Sequence, residues 1–242
     1  MLDPDSLYLE GIFQYNSGRF EEAIMCFEEI LKVGALHIEA WYFKGLSLRR
    51  LRRFEEAIEC FGVVVEVDPH YYKAWRNKAL LLSELGQHQE ALECIDNALK
   101  IESYDPRNWI VKGYVLHNVG RFEEAIDAYE KAIKMRPLGA DARRAWNNKG
   151  AALDNLRRHE EAIECYDEAI VIDPFDSYAW NNKGVSFSAL KKTTEAVECF
   201  QKAVEIEPNY ATAWRNLGLA YNALQRHEEA EEALKRAKKL GF

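Results

Sequence analysis

Apolar and small residues return along this chain at helical spacing, in pairs of short blocks separated by a polar turn. Between Ala145 and Pro174, Trp146, Lys149, Gly150 and Leu153 stand at i, i+3, i+4 and i+7, the stripe of an amphipathic helix. Arg157 and Arg158 interrupt the pattern. Ala162, Ile163, Tyr166, Ala169 and Ile170 then mark a second helix. Asp173 and Pro174 end it, because proline cannot continue a helix and pushes its predecessor into extended geometry. At the turn, other copies place Gly18, Gly86 and Gly120, residues suited to the left-handed conformation that closes a helix.

The pair of blocks recurs. Alanines at Ala23, Ala57, Ala91, Ala125, Ala162, Ala196 and Ala230 are 34 residues apart, with one step of 37, and six tryptophans from Trp41 to Trp214 keep the same beat. Such a period predicts stacked copies of one helix–turn–helix unit, each too small to bury its faces alone. Gly11, Gly45, Ala79, Gly113, Gly150, Gly184 and Gly218 hold one place in the first helix, and the seven alanines are expected to face them. The long step, around Leu138 to Arg143, is expected to lengthen one connection between repeats and to alter the superhelix pitch there.

This recurring order of Trp, Gly, Ala, aromatic and Pro resembles the tetratricopeptide repeat family over about residues 4–240, as seven copies. The resemblance implies an all-α fold, an α-α superhelix: a right-handed solenoid forming a single domain over 1–242. Its repeats would lie near 4–37, 38–71, 72–105, 106–142, 143–176, 177–210 and 211–242. One departure is the lysine three residues after tryptophan (Lys44, Lys78, Lys112, Lys149, Lys183), where the family has leucine. Their stems are expected to lie on the core with the ammonium in water.

The formal charge of −8 argues against general nucleic-acid binding. No apolar run is long enough to span a membrane, and the opening MLDPDSLYLEG lacks the pattern of a signal peptide, so a cytoplasmic protein is expected. Cys26, Cys60, Cys94, Cys165 and Cys199 all lie three residues after a repeat alanine. Equivalent places in neighbouring repeats are too far apart for a disulfide or a shared metal, so these read as small, partly buried thiols. No cofactor, metal or catalytic site is expected: the HEEA segments at His159 and His227 lack the second histidine of a zinc motif, and no phosphate loop or nucleophile elbow occurs.

Function is therefore sought on a surface. The resemblance implies a concave groove lined by the first helices, which holds partner peptides. Two residues after tryptophan stand Asn77, Asn148, Asn182 and Asn216, with Asn147 and Asn181 beside two of them. An amide can pair with both the N–H and the C=O of an extended backbone, and asparagine is a middling helix former. The row is similar to the asparagine ladder of tetratricopeptide domains that hold extended peptides. Groove positions carry seven bases (Arg49, Arg50, Lys73, Arg76, Arg107, Arg144, Arg215) against four acids (Asp5, Glu39, Glu84, Asp154). Of these, Lys73, Arg76, Arg107, Arg144 and Arg215 are expected to favour acidic residues in the partner. The five-residue carboxylate clamp of chaperone-binding members is not present. Tyr8, Leu9, Ile12, Tyr42, Phe43, Ile110 and Val111 form apolar groove positions, open to a ligand or to self-coverage. The expected function is a non-catalytic protein-interaction scaffold, monomeric or weakly oligomeric, binding an extended acidic segment; the alternative is self-assembly through the solenoid ends near Phe242.

Overall fold

A computed structural model describes residues 3–34 and 36–242. Among them are fourteen α-helices and no strand. By contact density the chain falls into two compact units, Met1–Val119 and Gly120–Phe242. Unit 1 holds α1 (Pro4–Asn16), α2 (Phe20–Val33), α3 (Ile38–Arg50), α4 (Phe54–Val67), α5 (Tyr72–Glu84), α6 (His88–Ile101) and α7 (Pro106–Asn118). Unit 2 holds α8 (Phe122–Lys134), α9 (Gly139–Asn155), α10 (His159–Ile172), α11 (Ser177–Ala189), α12 (Thr193–Ile206), α13 (Ala211–Ala223) and α14 (His227–Lys239). The tryptophans stand in the odd-numbered helices and the repeat alanines in the even-numbered ones, as the 34-residue beat predicts.

Every tight turn from a first to a second helix needs a left-handed residue. Gly18, Gly86 and Gly120 supply it at φ +77°, whereas Arg52, Arg157, Lys191 and Gln225 adopt φ near +60° in the equivalent places. The N–H of the next residue then returns to a carbonyl five residues back, as in Arg53 to Leu48 and Arg158 to Leu153.

The close approach within a pair differs from the sequence expectation. All seven alanines are fully or almost fully buried, but it is the aromatic four residues later that meets the glycine of the first helix. A Cβ added at Gly11 would lie 2.6 Å from Phe27, at Gly45 2.8 Å from Phe61, at Gly150 2.7 Å from Tyr166 and at Gly184 2.6 Å from Phe200. The repeat with Ala79 in the first helix carries the slimmer Ile95 in the second, so the extra methyl is matched by a lost ring.

Successive pairs within each unit are tied by polar groups on the outer side of that core. The indole N–H of Trp75, Trp180 and Trp214 donates to the carbonyl of Pro69, Pro174 and Pro208 at 3.0, 3.0 and 2.9 Å, and that of Trp109 to Ser103 at 2.9 Å. This explains why a turn proline and a tryptophan keep a fixed six-residue interval. The lysines do more than reach water. Lys44, Lys112 and Lys149 each pair with an acid on the preceding second helix, Glu28 (2.8 Å), Asp96 (2.7 Å) and Glu130 (2.8 Å), and Lys183 pairs likewise with Asp167. Each of the four also lies 5.4 to 5.8 Å from its own tryptophan ring. For Lys78 the place of that acid is held by Gly62, where an added Cβ would stand 3.7 Å from the Lys78 Nζ.

The 37-residue step also resolves differently from expectation. The linker from α8 to α9 is no longer than that from α10 to α11; α8 is one residue shorter than α10, and α9 has 17 residues where α11 has 13. The insertion is a turn of helix added ahead of Trp146. Arg136 and Gly139, both at φ +53°, bracket the Pro137–Leu138 corner that launches it.

The packing sets the outcome of two substitutions. Gly184→Ala is expected to cost about 1–3 kcal/mol by forcing its methyl into the Phe200 ring, and adding Phe200→Ile is expected to recover part of that loss in urea unfolding; additive losses would contradict the paired fit. Gly62→Glu is expected to raise stability by about 1 kcal/mol or slightly more, from helix propensity and a new partner for Lys78, read as a higher melting temperature.

Candidate functional site

The face formed by the first helices is organised differently in the two units. Within unit 1, α1 touches α3 and α5 touches α7; within unit 2, α9 touches α11 and α11 touches α13.

In unit 1 the predicted groove amide Asn77 is buried. Its Nδ2 donates to the Lys73 carbonyl at 2.8 Å and to the Tyr42 hydroxyl at 3.2 Å, and its Oδ1 accepts from the Arg49 guanidinium. Arg76 is also drawn inward: its Nη1 donates to Asp105 at 2.7 Å and to Asn108 at 3.1 Å, with both partners buried. Asp105 caps α7 through the Arg107 N–H and binds the Arg107 side chain at 2.8 Å as well. Burial opposes ionisation of Asp105, but the two arginines and the backbone N–H outweigh it and hold its pKa below the ordinary carboxylate value. Lys73 is exposed. Around them Tyr71 donates to Glu39 and Tyr114 to Glu84.

Unit 2 solves the same capping problem one helical turn earlier. Asp176 caps α11 by accepting from the N–H groups of Tyr178 and Ala179, and the guanidinium that holds its carboxylate is Arg143, with Asp173 at 3.5 Å from the same side chain. That assignment releases the positions after Trp146 and Trp180 for amides. Asn216 Nδ2 donates to Asn181 Oδ1 at 3.0 Å, Asn181 Nδ2 to Asn182 Oδ1 at 3.4 Å, and Asn182 Nδ2 to Asn147 Oδ1 at 3.3 Å. Four asparagines on α13, α11 and α9 thus form a head-to-tail relay, with a donor end at Asn147 and an acceptor end at Asn216. Asn148 lies beside it, half-buried. Arg144 is exposed, 3.7 Å from Asp141, and Arg215 stacks 4.8 Å above the Phe242 ring. Next to Asn216, a concavity of about 270 Å³ is lined by Val185, Leu219, Ala220 and Ala223.

Sequence reasoning missed Asp105, Asp176, Asn108 and Arg143. The two aspartates had a signal: each directly precedes a helix start, followed by Pro106 and Ser177, and aspartate is a preferred N-cap.

A Ser–His–Asp grouping does occur in unit 2, but its order is not that of an acyl-transfer site. Asp154 accepts from Ser186 at 2.8 Å and from Tyr166 at 2.8 Å, and lies 2.8 Å from His159 Nδ1. The carboxylate sits between serine and histidine, so the histidine has no nucleophile to deprotonate. Among the described residues no cluster of His, Cys, Asp or Glu is placed to hold a metal ion, and no helix is long and apolar enough to cross a membrane.

Comparison with known proteins fits this geometry. Models of the tetratricopeptide repeat match residues 8–61, 44–106 and 111–177, and further ones match 177–210 and 199–232. The chain belongs to the tetratricopeptide repeat family. No curated protein matches it. Among solved structures, a MamA fragment from Desulfovibrio magneticus RS-1 is 24% identical, with 70% of this chain and 94% of that one covered at a TM-score of 0.61. YrrB, described as a tetratricopeptide repeat protein with an unusual peptide-binding site, is 24% identical over 76% of this chain and 93% of its own, at 0.57. A tetratricopeptide repeat protein from Parabacteroides merdae is 16% identical over 99% and 93%, at 0.78. At these identities the likeness is one of fold.

The cysteines fit the role of packing residues. Cys60, Cys94, Cys165 and Cys199 are buried, and burial, ahead of the acids nearby, pushes each thiol up to about 11. The folded chain keeps protons that the unfolded chain gives up near pH 9, so these thiols make stability fall as pH rises from about 9 to about 11. A Cys165→Ala/Cys199→Ala variant is expected to show a shallower loss of melting temperature across that window than the parent.

Proposed function

We propose that the first-helix face of unit 2 binds an extended segment of a partner protein, gripping its backbone through the asparagine relay. The observation that carries this reading is the relay's polarity. Each internal amide is oriented by its neighbour, so Asn147 is left with N–H donors and Asn216 with a carbonyl acceptor, and Asn148 keeps its amide for a ligand. An extended backbone offers C=O and N–H groups in alternation and meets both ends. The exposed Val185 and Leu219 beside Asn216 line a concavity with room for one aliphatic side chain. Exposed Arg144 and Arg215 flank the relay and favour acidic residues in the segment, while in unit 1 exposed Lys73 and Arg107 remain at the surface and Arg76 and Asn77 are engaged internally. YrrB's description as a peptide binder supports the same reading of a shared fold. Five unpaired thiols suit a reducing compartment, and the cytoplasm is the one we propose.

The test uses an array of short unstructured peptides probed with the parent chain and with Asn147→Ala/Asn182→Ala/Asn216→Ala. Each backbone hydrogen bond is worth about 0.5–1.5 kcal/mol, so captured peptides are expected to lose about tenfold or more in affinity. Unchanged binding of every captured peptide would sink the relay. Raising salt is expected to weaken acidic peptides more than neutral ones, by screening Arg144 and Arg215.

A further inference from the structure

Arg49 on α3 and Asp154 on α9 occupy the same place in their repeats, eight residues after Trp41 and Trp146. Both are charged and both are largely withdrawn from water. Their surroundings are opposite in completeness.

Asp154 is met by a serine hydroxyl, a tyrosine hydroxyl and an imidazole nitrogen, all at 2.8 Å. Arg49 is met by one neutral amide, the Oδ1 of Asn77, and among the described residues it forms no ion pair. Burial lowers its pKa from the ordinary arginine value; the hydroxyls of Tyr15 and Tyr42 oppose this, and Arg50 and Arg76 add to the lowering. Asp105, the buried acid near Arg76, is engaged by Arg76 and Arg107. Glu39, the acid on the same helix, is engaged by the Tyr71 hydroxyl at 3.1 Å. An arginine does not shed its proton inside a protein, so the positive charge stays where it is. A half-buried guanidinium without a carboxylate carries a desolvation cost, and an anion arriving from outside offsets it.

The donors for such an anion are already arranged. One N–H of Arg49 is spent on Asn77, and the rest of its fork is not committed to any carboxylate. The Tyr42 hydroxyl accepts from Asn77 Nδ2, which leaves its own hydrogen to give. Tyr42 and Tyr71 pack with ring centroids 4.9 Å apart, and Tyr15 lies edge-on to Phe43, so the phenols are held in place by their neighbours. We propose that Arg49, with the Tyr42 hydroxyl beside it, forms an oxyanion site in unit 1, taking the carboxylate or phosphate group of a ligand. It shares no residue with the asparagine relay of unit 2 and stands or falls separately from it.

The probes are inorganic phosphate and, in a parallel arm, acetate, each titrated at constant ionic strength against chloride into the full chain. The readout is the side-chain amide resonance of Asn77, which shares the Arg49 contact. A saturable shift with at least one oxyanion is expected, weakened about tenfold or more in Arg49→Gln and only partly in Arg49→Lys, which keeps the charge without the fork. Saturation by phosphate alone assigns the site to phosphate groups; saturation by acetate assigns it to carboxylates. Arg50→Gln, an exposed neighbour, is expected to retain saturation, and helical circular dichroism verifies that each variant is folded. No saturable shift with either anion in the folded parent, or an undiminished one in Arg49→Gln, would overturn the site.

Discussion

The contact on which the rest depends is an aromatic ring seated against a residue with no side chain. Phe27, Phe61, Tyr166 and Phe200 press into Gly11, Gly45, Gly150 and Gly184 so closely that a methyl group would overlap them. That approach sets the distance between the two helices of a pair and buries the repeat alanine completely. With the core defined this way, the polar residues of each first helix are pushed to one side or the other. Lysines and tryptophans take the side that meets the preceding second helix, and amides and arginines take the open side.

The open side is governed by competition for the same carboxylates and amides. Each N-cap aspartate between repeats needs a cation, and the chain supplies it from two different registers. In unit 1 the cation is Arg76, one residue after Trp75, and this draws Asn108 into the same bond network. In unit 2 it is Arg143, three residues before Trp146, and the place one residue after tryptophan is free for Asn147 and Asn181. One helical turn in the position of an arginine thus separates a face that is closed upon itself from one whose amides form a directional row.

Much of the fold could be read from the chain because periodicity survives translation into packing. Apart from the early start of α9, the helices alternate as the repeat pattern places them, and the turn glycines take the left-handed conformation assigned to them. The 37-residue step was harder to read. Pro137 and Gly139 signal a turn, but the residues from Gly139 to Arg143 contain no proline, and they extend α9 instead of the linker. The site was half legible. Asparagines could be placed on the first helices by counting, but whether an amide faces a ligand or its own neighbours depends on side chains 28 to 35 residues away, as Arg49 with Asn77 and Asn182 with Asn147 demonstrate. A spacing of one repeat places two residues in register without saying which hydrogen bonds they choose.

That indeterminacy is also where a repeat protein acquires individuality. Identical backbone positions in different copies see nearly identical cores, so a substitution there is judged mainly by volume, as Ala79 opposite Ile95 shows. Positions eight residues after tryptophan see side chains from the next repeat, and those vary. Asp154 gathers three partners because Ser186, His159 and Tyr166 all converge on it, whereas Arg49 gathers one because its neighbours on α5 are an amide and an arginine already spoken for. Charge balance on this surface is therefore a property of neighbouring pairs of repeats. A count of bases and acids along the groove overstates the charge available to a ligand wherever an N-cap aspartate already holds the arginine, as Asp105 holds Arg76 and Asp176 holds Arg143.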